Sequence, residues 1–318
     1  MDKQIDLSIV VPLFNEEGNV NELYQELNTV LQKENLSYEI LFVNDGSTDR
    51  TEELVQEISK SDPAVVIVNF RRNFGQTAAM SAGFDYASGD IIITMDGDLQ
   101  NDPADIPKFL EKIKEGHDVV TGWRHKRQDP FLNRRLPSLI ANRVISGITG
   151  VKLHDYGCTL KAFKKEIADN INLYGEMHRF IPAIASAMGT SIAEVKVNHR
   201  PRQHGSSKYG ISRTFRVILD LITVKFLLSY SNRPIHIFGL IGMVSFCLGT
   251  LISFVLILQR QIYSMPLSDR PLFLLAILLI FIGIQFVTFG LISELQIRTY
   301  HESQKKPIYY VKDIVRNK

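Results

Sequence analysis

The first 200 residues alternate short apolar runs with longer segments in which apolar residues recur at helical spacing. Short runs rich in Val and Ile predict buried strands, and recurrences every three to four residues predict amphipathic helices. The predicted strands are 7–11, 38–43, 65–68, 91–95 and 119–121. The predicted helices are 19–31, 49–59, 77–87 and 107–114. This alternation predicts an α/β domain with a mostly parallel sheet.

The last third of the chain contains two long stretches, 234–259 and 271–293, without Asp, Glu, Lys or Arg. Each exceeds the roughly 20 residues that a helix needs to cross a bilayer, so the pair predicts a transmembrane hairpin rather than buried helices of a soluble protein. Lys and Arg before and after the hairpin outnumber the two in the link 260–270. The positive-inside bias therefore predicts that both ends lie in the cytoplasm.

The segment 210–233 precedes the first of these stretches and combines a basic character with apolar residues at helical spacing. Its apolar positions are Phe215, Ile218, Leu219, Ile222, Phe226 and Leu227. This pattern predicts an amphipathic helix on the membrane surface, with packing on the soluble domain as the alternative. The predicted domains are a cytoplasmic domain 1–209, this interface region 210–233, transmembrane helices 234–259 and 271–293, and a cytoplasmic basic tail 294–318.

Charge and cysteine content narrow the class of protein only slightly. The formal net charge is +2, but Arg200 to Arg233 holds seven Lys or Arg residues and one acid, which suits a membrane surface. No nucleic-acid partner is expected. The two cysteines, Cys158 and Cys247, are far apart and Cys247 lies in an apolar stretch, so a disulfide framework is not expected. The N-terminus lacks the apolar core of a signal peptide, which agrees with a cytoplasmic first half.

Polar clusters follow three of the predicted strands: Asn15-Glu16, Asn44-Asp45 and Asp96-Gly97-Asp98. Ligands of open α/β sheets bind beyond the carboxyl ends of the strands. Two carboxylates two residues apart at such an end are costly unless a positive charge holds them together. A divalent cation bridging to a substrate diphosphate explains Asp96 and Asp98, and Gln100 could add a neutral oxygen ligand. A polar turn after the strand is the simpler alternative.

The motifs that cradle phosphates through glycine are missing. No Gly-x-Gly-x-x-Gly follows the first strand, and the chain has no Gly-x-x-x-x-Gly-Lys-Ser/Thr. Dinucleotide-binding and P-loop classes are therefore disfavoured. Asp45 is a candidate acceptor for a nucleobase N–H, or a cap for the helix that follows it.

Read together, Val10-Val11-Pro12-Leu13-Phe14-Asn15-Glu16, Val43-Asn44-Asp45-Gly46-Ser47-Thr48-Asp49 and Met95-Asp96-Gly97-Asp98-Leu99-Gln100 resemble family 2 glycosyltransferases. That family has the GT-A fold, with a Rossmann-like nucleotide-binding half, and uses nucleotide sugars with Mg²⁺ or Mn²⁺. Asn73-Phe74-Gly75-Gln76, Gly122-Trp123-Arg124 and the hairpin narrow the resemblance to polyprenyl-phosphate glycosyltransferases. These include dolichol-phosphate mannose synthases and bacterial glucosyltransferases.

The resemblance implies a set of site residues. The nucleotide pocket would contain Pro12, Asn15, Glu16, Asp45 and Asp96. The metal ligands would be Asp96, Asp98 and Gln100, and the catalytic residues Asp96, Asp98 and Asp155. The diphosphate and acceptor phosphate would meet Arg124, Arg134, Ser138, Arg202, Ser207 and Lys208. A phosphate acceptor has a second pKa of about 6 and is largely ionised at neutral pH, so Asp155 is expected to position groups or, alternatively, to act as a base.

The expected reaction is inverting transfer of a hexose, glucose from UDP-glucose first, to a polyprenyl phosphate such as undecaprenyl phosphate. GDP-mannose, a UDP-4-amino-arabinose-type sugar and a UDP-N-acetylhexosamine are alternative donors. A non-catalytic membrane scaffold that binds nucleotide sugars is an alternative of another class. The expected protein is a multi-pass bacterial plasma-membrane enzyme of envelope glycan synthesis, and the glycines of its spans could support close helix packing in a homo-oligomer, with a tetramer as the working expectation.

Overall fold

The structure is a computed structural model that describes residues 4–125, 142, 145–147, 149–171, 173, 177–201, 235–263, 266, 270–303 and 309–316. These residues belong to two compact units. The sheet unit is drawn from Met1–Val224 and Pro307–Lys318, and the helical unit from Lys225–Lys306. The chain therefore leaves the sheet unit for the helical unit and then returns to it.

The sheet unit is built on an eight-stranded mixed sheet with the order β7-β5-β6-β4-β1-β2-β3-β8. The strands are β1 Leu7–Leu13, β2 Tyr38–Asn44, β3 Val65–Phe70, β4 Ile91–Thr94, β5 Val119–Trp123, β6 Lys161–Lys164, β7 Ile192–Lys196 and β8 Val311–Arg316. The four central strands β4, β1, β2 and β3 are parallel, and β5 is parallel to β7. Strand β6 is antiparallel to both β4 and β5, and β8 is antiparallel to β3.

Helices connect the parallel strands and cover the sheet. They are α1 Val20–Leu31, α2 Thr51–Ser61, α3 Gln76–Tyr86, α4 Ile106–Lys114, α5 Lys165–Ala168 and α6 Ile181–Ala187. The core lies between them and the central strands, where Ile9, Ile40 and Leu23 are fully buried. All five predicted strands and all four predicted helices are present. The strands could be predicted because a parallel sheet covered by helices requires near-continuous apolar strands.

The predicted end of the first strand is corrected. Pro12 does not stop β1, which continues to Leu13 and stays paired with β2. The carbonyl of Val10 faces β4, and that pairing ends at Val10 and Thr94. Pro12 is two residues further, so its missing N–H falls on the side where no ladder partner remains.

The predicted tail 294–318 is also corrected. The second long helix continues to Ser303, and Val311–Arg316 forms β8 at the edge of the sheet. Along β8, alternate residues are partly covered or exposed, as expected for a strand on one face of a domain. Strands β6 and β7, which the apolar pattern did not predict, are short and carry Lys or Glu among their apolar residues.

The helical unit consists of α7 Ile235–Tyr263 and α8 Pro271–Ser303. Within the described residues, two segments are long and apolar enough to cross a membrane, Phe238–Ile262 and Pro271–Ser293. An added Cβ at Gly242 would lie 2.7 Å from the Gly283 carbonyl oxygen, and one at Gly249 would lie 2.6 Å from that of Ala276. These contacts run in opposite directions along the two helices, so α7 and α8 form an antiparallel hairpin whose backbones approach closely at glycine. The predicted interface helix 210–233 lies outside the described residues.

Candidate active site

Three of the predicted polar clusters meet at one edge of the sheet unit. Strands β4, β1 and β2 are neighbours and parallel, so their carboxyl ends point the same way. The turns that follow them carry Asp96 and Asp98, then Asn15 and Glu16, then Asp45. This is the position at which α/β sheets bind their ligands.

Asn15 and Glu16 shape the turn after β1. Asn15 has a φ of 56°, in the left-handed region that Asn tolerates better than most residues. Its Oδ1 accepts the Thr48 N–H at 2.8 Å, and its own N–H donates to Ser47 Oγ at 3.0 Å. Glu16 accepts a hydrogen bond from Asn19 Nδ2 at 2.6 Å. The turn after β1 is thereby tied to the turn after β2.

Asp45 is buried and anchors the segment before α3. Its Oδ1 accepts the Phe74 N–H at 2.6 Å and its Oδ2 accepts the Gly75 N–H at 2.9 Å. Burial raises the pKa of Asp45 to about 6, although both amide hydrogen bonds lower it. The helix that follows Asp45 is α2. At its start the Thr51 N–H is accepted by Asp49, so Asp45 is not the cap of this helix.

The turn after β4 holds Asp96 and Asp98 close together. Gly97 permits this, since an added Cβ would lie 2.5 Å from Leu13 Cδ2 and 3.3 Å from the Pro12 carbonyl oxygen. Leu99 is fully buried with a φ of 59°, a left-handed conformation that costs a non-glycine residue roughly 1–2 kcal/mol. Backbone strain of this kind is found where a site must hold a fixed geometry.

Asp96 lies beside a second carboxylate, and two cations act on it as well. Burial and the charge of Asp98 raise the pKa of Asp96, against a hydrogen bond from Thr159 and the positive charges of Arg124 and Lys161. Asp96 Oδ1 accepts a hydrogen bond from Gln76 Nε2 at 2.7 Å, which fixes its orientation. Gln76 was not among the predicted site residues, although it lies in the Asn73-Phe74-Gly75-Gln76 motif.

The donor set of this turn fits a hard divalent cation. Asp98 is only 5% exposed and lies two residues from Asp96, so two carboxylates share one turn that water reaches little. A cation of charge +2 with a preference for oxygen would satisfy both. In the described part of the chain no group of three His, Cys, Asp or Glu could hold a metal. Asp96 and Asp98 would supply two of the ligands, and oxygens of Gln100, of a bound diphosphate or of water could complete the set.

Gln100 lies in the same turn, and both its backbone nitrogen and its side-chain nitrogen contact neighbouring residues. Its backbone N–H donates to Asp98 Oδ1 at 3.2 Å, and its Nε2 lies 3.5 Å from the Arg200 carbonyl oxygen. The Gln100 carbonyl accepts the Arg200 N–H at 3.0 Å. Gln100 therefore links the carboxylate turn to residues after β7.

Arg124 and Asp155 form an ion pair in which Asp155 is buried and Arg124 is 14% exposed. Arg124 Nε and Nη2 donate to the two Asp155 carboxylate oxygens at 2.7 and 2.9 Å, a bidentate geometry. Asp155 Oδ1 also accepts the Gly157 N–H, and Oδ2 the Arg124 backbone N–H. Burial alone would lower the pKa of Arg124, but the hydrogen bond and charge of Asp155 raise it above its ordinary value. The structure thus joins two residues that the resemblance assigned to separate roles.

Lys161 is a buried cation that sequence reasoning missed. It is 1% exposed on β6, opposite Thr94 of β4, and its Nζ donates to the Cys158 carbonyl oxygen. Burial lowers the pKa of Lys161, while the charges of Asp155 and Asp96 act in the opposite direction. A single lysine inside the otherwise apolar run Leu160 to Phe163 was the signal available in the sequence.

The remaining predicted site residues fall where the structure is not described. These are Arg134, Ser138, Arg202, Ser207 and Lys208. Pro12, by contrast, lies in β1 with its carbonyl oxygen facing Gly97, at the centre of the site.

Comparison with solved structures identifies the fold. Glucosyl-3-phosphoglycerate synthase from Mycobacterium tuberculosis, in complex with Mn²⁺, UDP and phosphoglyceric acid, matches with a TM-score of 0.55. The match covers 70% of this chain and 78% of that one at 18% sequence identity, so it shows the fold alone. The GT-A fold predicted from the sequence is confirmed.

Comparison of sequences identifies the family. The model of glycosyl transferase family 2 matches residues 8–171. A dodecaprenyl-phosphate galacturonate synthase of Rhizobium johnstonii is 44% identical over 316 residues, covering 98% of this chain and 94% of the relative. An undecaprenyl-phosphate 4-deoxy-4-formamido-L-arabinose transferase of Pseudomonas fluorescens is 36% identical over 313 residues, covering 98% and 90%. The chain belongs to glycosyl transferase family 2 and is a glycosyltransferase.

Proposed function

We propose that this enzyme transfers a uronic acid, galacturonate first, from a UDP-sugar to a polyprenyl phosphate at the cytoplasmic face of the plasma membrane. The observation that carries the proposal is the pair of neighbouring carboxylates, buried Asp98 and partly buried Asp96, at the ligand-binding edge of the sheet. The similarity to polyprenyl-phosphate sugar transferases supports it, because that similarity extends over 98% of the chain and includes the apolar hairpin. Galacturonate takes the place of glucose as the first candidate donor, because the two relatives are named for galacturonate and formamido-arabinose.

The residues of the site divide the work between donor and acceptor. Asp96 and Asp98 would hold Mg²⁺ or Mn²⁺, which would neutralise the charge that develops on the departing diphosphate. Gln76 orients Asp96 through its hydrogen bond. Asp45 fixes the segment before α3, and its carboxylate oxygens retain lone pairs for a nucleobase N–H.

The acceptor needs placement more than activation. A phosphate monoester is largely ionised at neutral pH, so attack on the sugar requires no strong base. Asp155 is paired with Arg124 and accepts backbone N–H bonds, which makes it a poor base. We assign Asp155 the role of orienting Arg124, whose guanidinium adds positive charge beside Asp96. Direct attack would invert the anomeric configuration.

The hairpin suits an acceptor that combines a charged phosphate with an apolar polyprenyl tail. Its outward side chains are apolar, with Leu274 74% and Ile262 69% exposed, as helices in contact with lipid require. Both ends of the helical unit connect to the sheet unit, since β8 follows α8 and rejoins the sheet. Two spans would bring these ends to one side of the membrane, and the distribution of Lys and Arg supports the cytoplasm as that side.

The test is a transfer assay with the purified full chain in detergent, polyprenyl phosphate, Mg²⁺ or Mn²⁺, and a panel of labelled nucleotide sugars. We expect label from UDP-galacturonate in the lipid fraction. UDP-4-deoxy-4-formamido-L-arabinose is the second candidate, because a relative is named for that sugar. UDP-glucose, GDP-mannose and UDP-N-acetylhexosamine complete the panel.

Transfer from UDP-glucose alone would restore the original expectation and refute the uronate proposal. Nucleotide binding without transfer from any member of the panel would favour the scaffold alternative. Asp90→Asn is the matched control for substitutions in the carboxylate turn, because Asp90 is exposed and lies at the opposite end of β4.

A further inference from the structure

The chain segment after the hairpin is an integral part of the sheet unit. Strand β8 pairs with β3 from Val66 to Phe70, and Asn69 Nδ2 donates to Asp313 Oδ1 at 2.8 Å. The Tyr310 carbonyl oxygen accepts the Arg71 N–H at 3.2 Å, so the pairing extends just past the end of β3. The last described residues therefore hold the end of β3 in place.

Two tyrosines that precede β8 build an aromatic cluster on the same strand end. Tyr309 is buried, stacks on Phe70 with ring centroids 5.1 Å apart, and donates its hydroxyl to Asp85 Oδ2 at 2.7 Å. Tyr310 is 70% exposed, and its ring lies 6.0 Å from that of Phe74. Aromatic pairs at these distances stabilise by more than their buried area alone.

Residues 70–76, here called the linking segment, connect this cluster to the active site. Phe70 and Phe74 face the tyrosines, while the N–H groups of Phe74 and Gly75 donate to Asp45. At its end, Gln76 donates to Asp96. One short segment therefore contacts the C-terminal tyrosines on one side, and the carboxylates of both the nucleotide pocket and the metal site on the other.

We propose that Tyr309 and Tyr310 are positioning residues for donor binding, acting through the linking segment on Asp45 and Asp96. This inference rests on the proposed function, because it assumes that the two carboxylates serve a nucleotide sugar. The tyrosines contribute no group to the reaction. They restrict the linking segment to the conformation in which its amides face Asp45 and Gln76 faces Asp96.

Tyr310→Ala tests the inference with little risk to the core, since the ring is mostly exposed. We expect the KM for the nucleotide sugar to rise about threefold to tenfold, the range expected for loss of one aromatic pair. The kcat should change less than about twofold, and the KM for polyprenyl phosphate should stay constant, because the chemistry and the acceptor side are untouched. Tyr310→Phe keeps the ring and should restore the donor KM. Lys312→Ala is the matched control, because Lys312 of β8 lies two residues from Tyr310 and the change removes only its ion pair with Glu52 of α2.

Hydrogen exchange of the full chain without substrate gives a second readout that does not depend on activity. The Phe74 and Gly75 amides should exchange faster in Tyr310→Ala than in the wild type, and at the wild-type rate in Tyr310→Phe and Lys312→Ala. If the wild type transfers no sugar, the proposed function fails while this experiment still measures the coupling. Unchanged exchange in Tyr310→Ala would overturn the coupling. Faster exchange with an unchanged donor KM would overturn the positioning role. Should Tyr310→Ala not fold, Tyr310→Leu, which replaces the ring by an aliphatic side chain, takes its place with the same expectations.

Discussion

Two pairs of charged residues lie in the same site and are built on opposite principles. Asp96 and Asp98 are like charges in a buried turn, and the pKa of Asp96 is raised by burial and by Asp98. Arg124 and Asp155 are opposite charges joined by two hydrogen bonds of 2.7 and 2.9 Å. The first pair carries an excess of negative charge, whereas the second is neutral overall.

The difference indicates which pair waits for a ligand. A buried carboxylate pair becomes favourable only when a cation or a proton arrives, so its energetics change on binding. A bidentate ion pair is satisfied in the free protein and changes little, but removing one member leaves a buried charge without its partner. We infer that Asp96 and Asp98 respond to substrate, whereas Arg124 and Asp155 form a fixed part of the framework.

Among variants of these two pairs, Asp98→Asn should cause the largest loss of transfer rate. The variant removes one of two carboxylates available to the cation, and transfer should fall at least about a thousandfold. The melting temperature of the ligand-free protein should not decrease, since the substitution relieves repulsion with Asp96. Initial rates and thermal melts of Asp98→Asn, with Asp90→Asn as control, measure both. Near-normal turnover would remove Asp98 from the metal site, and a lower melting temperature would show that Asp98 is structural.

Asp155→Asn should show the reverse pattern, with a larger loss of stability and a smaller loss of rate. Arg124 would keep its charge in a largely covered position with an amide in place of its carboxylate partner, at a cost of about 3 kcal/mol. A substantial part of the rate should remain, because an ionised acceptor needs no base. Thermal melts and initial rates below the melting temperature separate the two effects.

The double variant Arg124→Gln with Asp155→Asn provides the control for this substitution. It removes both charges, so its melting temperature should recover part of the loss seen in Asp155→Asn. A single variant Asp155→Asn that melts like the wild type but transfers no sugar would identify Asp155 as the general base.

The sequence predicted the parts of the fold that local patterns encode. Central strands such as β1 and β2 are continuous apolar runs, and the polar clusters at their ends meet because parallel neighbours end at one edge. Strand β8 was interpreted as a tail, because its partner β3 lies more than 200 residues earlier and no periodicity records such a pairing. The antiparallel strand β6 was missed for the same reason, since its pairing with β4 bridges about 70 residues.

The site residues show the same limit. Asp96 and Asp98 were predicted because their chemistry follows from adjacent positions in one turn. The partnership of Arg124 with Asp155 could not be predicted, because it joins residues that are 31 apart through the arrangement of two loops. Gln76 and Lys161 act through contacts with distant acids, so neither was predicted, although Gln76 lies in a motif that carried the family resemblance.

Asp45 extends the comparison to a third kind of carboxylate, one held by neutral amides with no counter-charge among the described residues. Its effect should be the smallest. Burial raises the pKa of Asp45 from 3.8 to about 6, so the group is ionised above pH 6 and becomes protonated as the pH falls through 6. If the ionised form accepts a nucleobase N–H, affinity for the base should fall about tenfold between pH 7.5 and pH 5. Uridine is the suitable probe, because it lacks the diphosphate and therefore does not engage the cation site of Asp96 and Asp98.

Saturation-transfer NMR of uridine with the full chain measures this dependence, and Asp45→Asn is the control. The variant should bind weakly and with no change over this pH range, because its amide does not titrate. The wild type should gain folding stability as the pH falls from 6 towards 4, because the pKa of Asp45 is higher in the folded than in the unfolded state. An acid held in an ion pair would show the opposite dependence on pH. Uridine affinity that is constant from pH 7.5 to 5 in the wild type would show that Asp45 only anchors Phe74 and Gly75, and would leave Asp96 and Asp98 as the carboxylates that respond to the donor.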